Sequence, residues 1–153
     1  MKITEILTPE MVIPELRGAS KAEVLTELAQ RLCSKHPEIV YERLITVLNE
    51  RERLGSTAIG DGIAIPHGKL RGIDRILGAF GRSTAGIDFD SLDGNPTHLF
   101  FLLIAPEDSA SLHLKALARV SRLFKDGAFR QRLLDAPDAA ELYQLLKEED
   151  SKY

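Results

Sequence analysis

The chain has 153 residues, 44% of them hydrophobic and 28% charged, with a formal net charge of −3. That length fits one domain, 1–153, with enough apolar residues for a core, and the mild acidity leaves no electrostatic footprint for nucleic acid. The single cysteine rules out an internal disulfide or a multi-cysteine metal site, and no apolar run is long enough to span a bilayer.

Met1-Lys2-Ile3-Thr4-Glu5 lacks the basic-then-apolar pattern of a signal peptide, so the expected location is cytoplasmic, with no direct membrane insertion. Residues 1–19, interrupted by Pro9 and Pro14, read as a short helical or irregular arm. Ser20-Lys21-Ala22-Glu23 is a capping box. It opens a helix with Val24, Leu25, Leu28, Ala29 and Leu32 on one face, and His36-Pro37 ends it. Cys33 lies on that apolar stripe and reads as a small core residue. A second helix over residues 41–54 buries Leu44, Ile45, Val47 and Leu48 and stops at Gly55.

Three strand-like segments follow: Ala58 to Ile65, Ile76 to Ser83, and Leu99 to Ala105. The last is a continuous apolar run, the mark of a strand covered on both faces. Between them, Ile87 and Phe89 suggest one more short strand. Pro106-Glu107-Asp108-Ser109 announces a helix over 110–125, Asp126 caps a shorter one through Leu134, and Asp138 with Glu141 caps the last, to Lys147. The charged end 148–153 reads as a frayed tail. Helices around a block of strands predict an α/β fold: a three-layer sandwich, with a mixed central β-sheet flanked by helices on both faces.

Chemistry concentrates in Gly60-Asp61-Gly62-Ile63-Ala64-Ile65-Pro66-His67-Gly68-Lys69. Pro66 fixes its own φ and pushes its predecessor toward extended geometry, while Gly68 permits a turn or a close approach. Together they hold the His67 imidazole at a strand end, outward and accessible, where it serves as nucleophile or general base. Arg51 and Arg53 stand near the end of the second helix, where a guanidinium can fork onto phosphate or merely favour the helix dipole. Other motifs fail. Gly62 to Lys69 is one residue too long for a P-loop, with Leu70 where Ser or Thr is required. Gly81-Arg82-Ser83-Thr84-Ala85-Gly86 is not a nucleophile elbow. The four histidines lack metal-ligand spacing. No nucleotide or metal cofactor is implied.

The His67 block resembles the phosphorylation-site motif of the enzyme IIA proteins of the bacterial phosphotransferase system, fructose/mannitol/nitrogen type. The resemblance extends through Asn49 to Thr57, Asp93 to Phe101, Ser111 to Leu114 and Glu141 to Leu146, and is closest to the nitrogen regulatory branch. It implies that His67 Nε2 accepts a phosphoryl group from an HPr-like phosphohistidine protein. It assigns phosphate stabilisation to Arg51, with Arg53 left to the helix end, and a supporting role to His113. Ser56 and Thr57 fall in the matched stretch as secondary candidates. Downstream partners are regulatory proteins of nitrogen, potassium or carbon metabolism, or, in a sugar-transporting version, an enzyme IIB. The absence of an attached IIB or membrane segment favours the regulatory version modestly. A binding module with a vestigial site is the rival of another class; a hydrolase using His67 as base lacks a supporting carboxylate motif. The docking surface for the donor is expected around His67, among Ile63, Ile65, Pro66, Gly68 and Leu70, with Lys69 and Arg71 at its rim.

Overall fold

The apolar run Leu99–Ala105 forms the heart of β6 (Thr97–Pro106), the strand around which the sheet is assembled. The structure, a computed structural model, describes residues 1–153. The other strands are β1 (Val12–Ile13), β2 (Ala58–Gly60), β3 (Ile63–Ala64), β4 (His67–Leu70) and β5 (Leu77–Ile87). They run in the order β1-β5-β6-β3-β2, with β4 also on β6. One edge of β6 pairs antiparallel with β5, and the other pairs parallel with β3 and β4. The sheet is therefore mixed, as expected. Residues 99–105 of β6 are all buried because both faces are covered.

The helices are α1 (Lys21–Lys35), α2 (Tyr41–Arg53), α3 (Ala110–Leu123), α4 (Gly127–Asp135) and α5 (Ala139–Asp150). They flank the sheet in two groups. On one side α1 packs on α2 and β5, and α2 on β4; on the other α3 packs on β6, and α5 on α3, α4 and β1. Of the four helix starts marked in the sequence, three carry side-chain caps: Ser20 Oγ accepts from Glu23 N–H, Asp126 from Ala128 N–H and Asp138 from Glu141 N–H, while α3 begins after Ser109 without one. The Glu23 carboxylate reaches back one residue beyond the cap, to Ala19 N–H. Phe124 stacks on Phe80 and meets Phe101 and Phe129, joining the far helices to the sheet. Cys33 is only partly buried.

Two expectations need correction. The segment 58–65 is not one strand. Gly60, Asp61 and Gly62 adopt φ of +102°, +56° and +76°, so the chain folds back and β2 pairs antiparallel with β3. The expected short strand at Ile87 is the end of a longer β5, while Phe89 lies beyond it in the core.

The acidic end expected to fray is packed as far as Asp150, with only 151–153 exposed beyond the helix. Helix α5 continues to Asp150, and Glu149 and Asp150 are each only 2% exposed. Asp150 accepts from Ile3 N–H at 2.8 Å and from Arg119 Nε–H at 2.6 Å; Glu149 pairs with Arg132 and Lys152. Burial of these carboxylates is tolerated because each is matched by donors from distant segments. Asp150→Ala leaves the Ile3 amide without its acceptor and the mostly buried Arg119 guanidinium without its carboxylate, and should cost about 3 kcal/mol in urea unfolding. Glu148→Ala, one exposed turn position away, should stay within about 0.5 kcal/mol.

Candidate functional site

Proline has no N–H to give to a ladder. Pro66 accordingly interrupts the strand beside β6, yet β3 and β4 keep the same register on either side of it: Ala64 lies opposite Phe100 and His67 opposite Leu103. The Pro66 carbonyl still accepts from Leu103 N–H at 2.9 Å. His67 thus opens β4, where the sequence had placed it at a strand end, and its side chain is half-buried instead of fully accessible.

Two hydrogen bonds define the imidazole. Its Nδ1 lies 2.8 Å from the Ile65 carbonyl oxygen, which can only accept, so Nδ1 carries the proton. Its Nε2 lies 3.2 Å from Arg51 Nε, which can only donate, so Nε2 presents a lone pair. Both contacts select the same tautomer, with Nε2 as the nucleophilic atom.

Arg51 reaches the ring because α2 sits close on β4. A Cβ on Gly68 would run into Val47 Cγ1, so only glycine allows this approach, and Arg51 follows Val47 by about one helical turn. The guanidinium is anchored a second time, by Nη1–H donating to the Gly55 carbonyl at 2.8 Å, while Nη2 makes no protein hydrogen bond and is available to an anion. Arg53 is exposed and unpaired, on another side of the helix.

His113 enters from the first turn of α3, 8% exposed, with its ring centroid 5.4 Å from that of His67 and tilted by 55°. The structure brings Arg51, His67 and His113 together. It does not bring in Ser56 and Thr57: Ser56 Oγ donates to the Phe89 carbonyl, and Thr57 Oγ1 donates to Glu52. Their hydroxyls build the turn. Glu52 was not anticipated as part of this region. A helix-end glutamate next to arginines reads as solvated, and its partners, Lys21 and Thr57, are not local pairs of any helix face. His98 Nδ1–H donates to the Ser83 carbonyl at 2.9 Å, which gives this ring a structural partner outside the site.

Burial, above all, lowers the pKa of His67 from the ordinary 6.5, with the Arg51 charge adding to the fall and the Ile65 carbonyl and Glu52 opposing it. Burial also lowers that of His113, helped by His67 and Lys69. A helix N-terminus disfavours a cation there as well. Both rings are therefore neutral near pH 7, and the nucleophilic lone pair is free of a proton.

The expected docking residues Ile63, Ile65, Pro66, Gly68 and Leu70 are all buried, because they carry the sheet and its contact with α2. Exposed apolar side chains come from elsewhere: Leu112 and Leu114, the sequence neighbours of His113, and Leu54, at the end of α2.

A family model described as phosphoenolpyruvate-dependent sugar phosphotransferase system, EIIA 2, matches residues 5–149. The chain belongs to this enzyme IIA family. It is 44% identical over 149 residues to a nitrogen regulatory protein of Bradyrhizobium diazoefficiens, covering 95% of each. It is 35% identical to a fructose-specific EIIABC component of Bacillus subtilis, where it covers 98% of this chain and 24% of that one. Its structure matches that of the nitrogen regulatory protein IIA-Ntr of Neisseria meningitidis with a TM-score of 0.87 and 31% identity, over 94% of this chain and 98% of the other. As an enzyme IIA it is a phosphotransferase-system phosphoryl carrier, and no helix is long and apolar enough to cross a membrane.

The histidine pair gives this enzyme IIA an acid sensitivity. Both folded-state pKa values lie below the ordinary 6.5, so the unfolded chain takes up protons first as pH falls. Stability should be greatest above about pH 6.5 and decline below it. In urea unfolding between pH 7 and pH 5, His67→Gln/His113→Gln should show a shallower decline than the parent, the remaining slope including that of His36, whose pKa burial also lowers.

Proposed function

We propose that His67 accepts and releases a phosphoryl group at Nε2, that its donor is an HPr-like phosphohistidine protein in the cytoplasm, and that the phosphorylation state controls nitrogen, potassium or carbon metabolism through protein partners. The observation that carries this reading is the pair of hydrogen bonds on the ring, Nδ1–H to Ile65 and Arg51 Nε–H to Nε2. In the reaction, the Nε2 lone pair attacks phosphorus in line. The donor's N–P bond breaks, and its departing imidazole recovers its electron pair. As positive charge develops on the His67 ring, the Nδ1–H bond to the Ile65 carbonyl strengthens. Arg51 turns its N–H groups from the lone pair to the phosphoryl oxygens, and the His113 ring, alongside, supplies a further donor. Most of the catalysis is placement and charge stabilisation.

A second reading, transfer onward to an enzyme IIB during sugar uptake, draws on the similarity to a fructose-specific EIIABC component. Incubation of the phosphorylated protein with purified enzymes IIB and with candidate regulatory targets separates the two: rapid loss of the phosphoryl group to a IIB favours transport. A vestigial site would take no phosphoryl group at all.

With phosphoenolpyruvate, enzyme I and an HPr homologue, the protein should acquire an acid-labile, alkali-stable phosphoryl group, and His67→Ala should acquire none while keeping its circular dichroism spectrum. Arg51→Ala removes a charge-assisted partner of the transition state worth about 3 kcal/mol, so transfer should slow roughly a hundredfold. Arg53→Ala should change little; equal losses from the two arginines would overturn the assignment to Arg51.

The donor would dock where apolar surface is exposed beside the histidines, at Leu54, Leu112 and Leu114, with Lys69 at the rim. Leu114→Glu should raise the KM for the phosphorylated donor several-fold with little change in kcat, since Leu114 is 66% exposed and touches no part of the core. A fall in kcat alone would place docking elsewhere.

A further inference from the structure

Glu52 follows Arg51 in sequence, but successive residues of a helix point about 100° apart, so the two side chains cannot share a target. The Glu52 side chain is only 6% exposed. Its Oε1 accepts from Thr57 N–H at 3.1 Å and pairs with Lys21 Nζ at 3.0 Å, and its Oε2 accepts from the Thr57 hydroxyl. One buried carboxylate therefore ties together the start of α1, the last turn of α2 and the entry to β2.

The chain enclosed by the Glu52–Thr57 clamp is Arg53-Leu54-Gly55-Ser56, and the Gly55 carbonyl is the second anchor of Arg51. Packing does little to place that carbonyl. Leu54 is 85% exposed, and nothing lies within 4 Å of where a Gly55 Cβ would sit. Gly55 has φ of +143°, and its N–H reaches the Glu52 carbonyl at 3.1 Å. The turn is held by hydrogen bonds, and those from Thr57 to the Glu52 carboxylate close it.

We infer that Glu52 is a positioning residue for the His67 site: by clamping Thr57 it fixes the Gly55 carbonyl, which aims the Arg51 guanidinium at His67 Nε2. The inference rests on the reading of His67 as phosphoryl acceptor, and it adds a residue that never meets the phosphate. Lys21 shares Oε1 with the Thr57 amide, but its ammonium also pairs with Asp90 and lies over the Phe89 ring, so it is tied to α1 and the loop after β5 as well as to the clamp.

The test is a double-mutant cycle on phosphoryl transfer, with wild type, Arg51→Ala, Glu52→Ala and the double variant, joined to ¹⁵N NMR of the unphosphorylated His67 ring. Glu52→Ala should slow transfer about tenfold, roughly the 1.4 kcal/mol that one decade represents, and should cost nothing further in the Arg51→Ala background. In the NMR spectra, the Nδ1–H tautomer should dominate in wild type and lose population in Glu52→Ala and Arg51→Ala alike. Should Glu52→Ala fail to fold, Thr57→Val, which keeps side-chain volume and removes only the hydroxyl donor, takes its place, with a several-fold loss and the same absence of any loss in the Arg51→Ala background. Transfer at the wild-type rate, losses that multiply in the double variant, or an unchanged tautomer balance would each overturn the role of Glu52. Failure of the wild type to be phosphorylated on His67 would instead overturn the acceptor reading, and the tautomer comparison would still decide whether Glu52 aims Arg51.

Discussion

The site depends on one hydrogen bond, from Arg51 Nε–H to His67 Nε2. It sets the tautomer together with the Ile65 carbonyl, and it parks a cation beside the ring's free lone pair. At 3.2 Å it is at the long end of the range for such bonds, so the guanidinium is poised and easily released. Under the proposed function, the same donor shields the lone pair at rest and meets phosphoryl oxygens afterwards. Each partner of this contact is placed by a different element. The ring is set by a strand held in register through a proline, and the arginine by a helix pressed onto that strand. A turn behind the arginine supplies its second anchor.

Charge at the site is managed by burial. Two imidazoles with centroids 5.4 Å apart would repel if both were protonated, and their partial burial keeps them neutral. Before reaction the group thus carries one formal positive charge, that of Arg51. On the proposed reading of His67, a phosphoryl group would bring negative charge into a place already furnished with donors, and complementarity would be complete only in the loaded form.

Local signals in the sequence were legible and non-local ones were not. Ser20, Asp126 and Asp138 mark helix starts because a cap is satisfied within three residues. The apolar run of β6 marks a strand buried on both faces for the same reason. His67 stood out through its motif, and Arg51 and His113 through resemblance. The hairpin at Gly60–Gly62 was missed because Ala58 to Ile65 is apolar almost throughout, although Gly-Asp-Gly is a turn signal in its own right. Glu149 and Asp150 were misjudged, and Glu52 was not singled out, for one reason: acidic residues near helix ends look solvated, and only the folded chain brings Lys21, Thr57, Arg119, Arg132 and Ile3 N–H to them. The docking residues failed for the converse reason. Neighbours of His67 in sequence are the strands that hold it, and its neighbours on the surface come from other elements.

The contact between Gly68 and Val47 has a consequence for how this protein can change over time. The missing side chain on β4 and the β-branched one on α2 occupy the same space, so they act as a single steric unit. A methyl gained at position 68 must be matched by one given up at position 47, or the helix lifts and takes Arg51 with it. A side chain gained at position 68 therefore needs a smaller one at position 47, although neither position carries any chemistry.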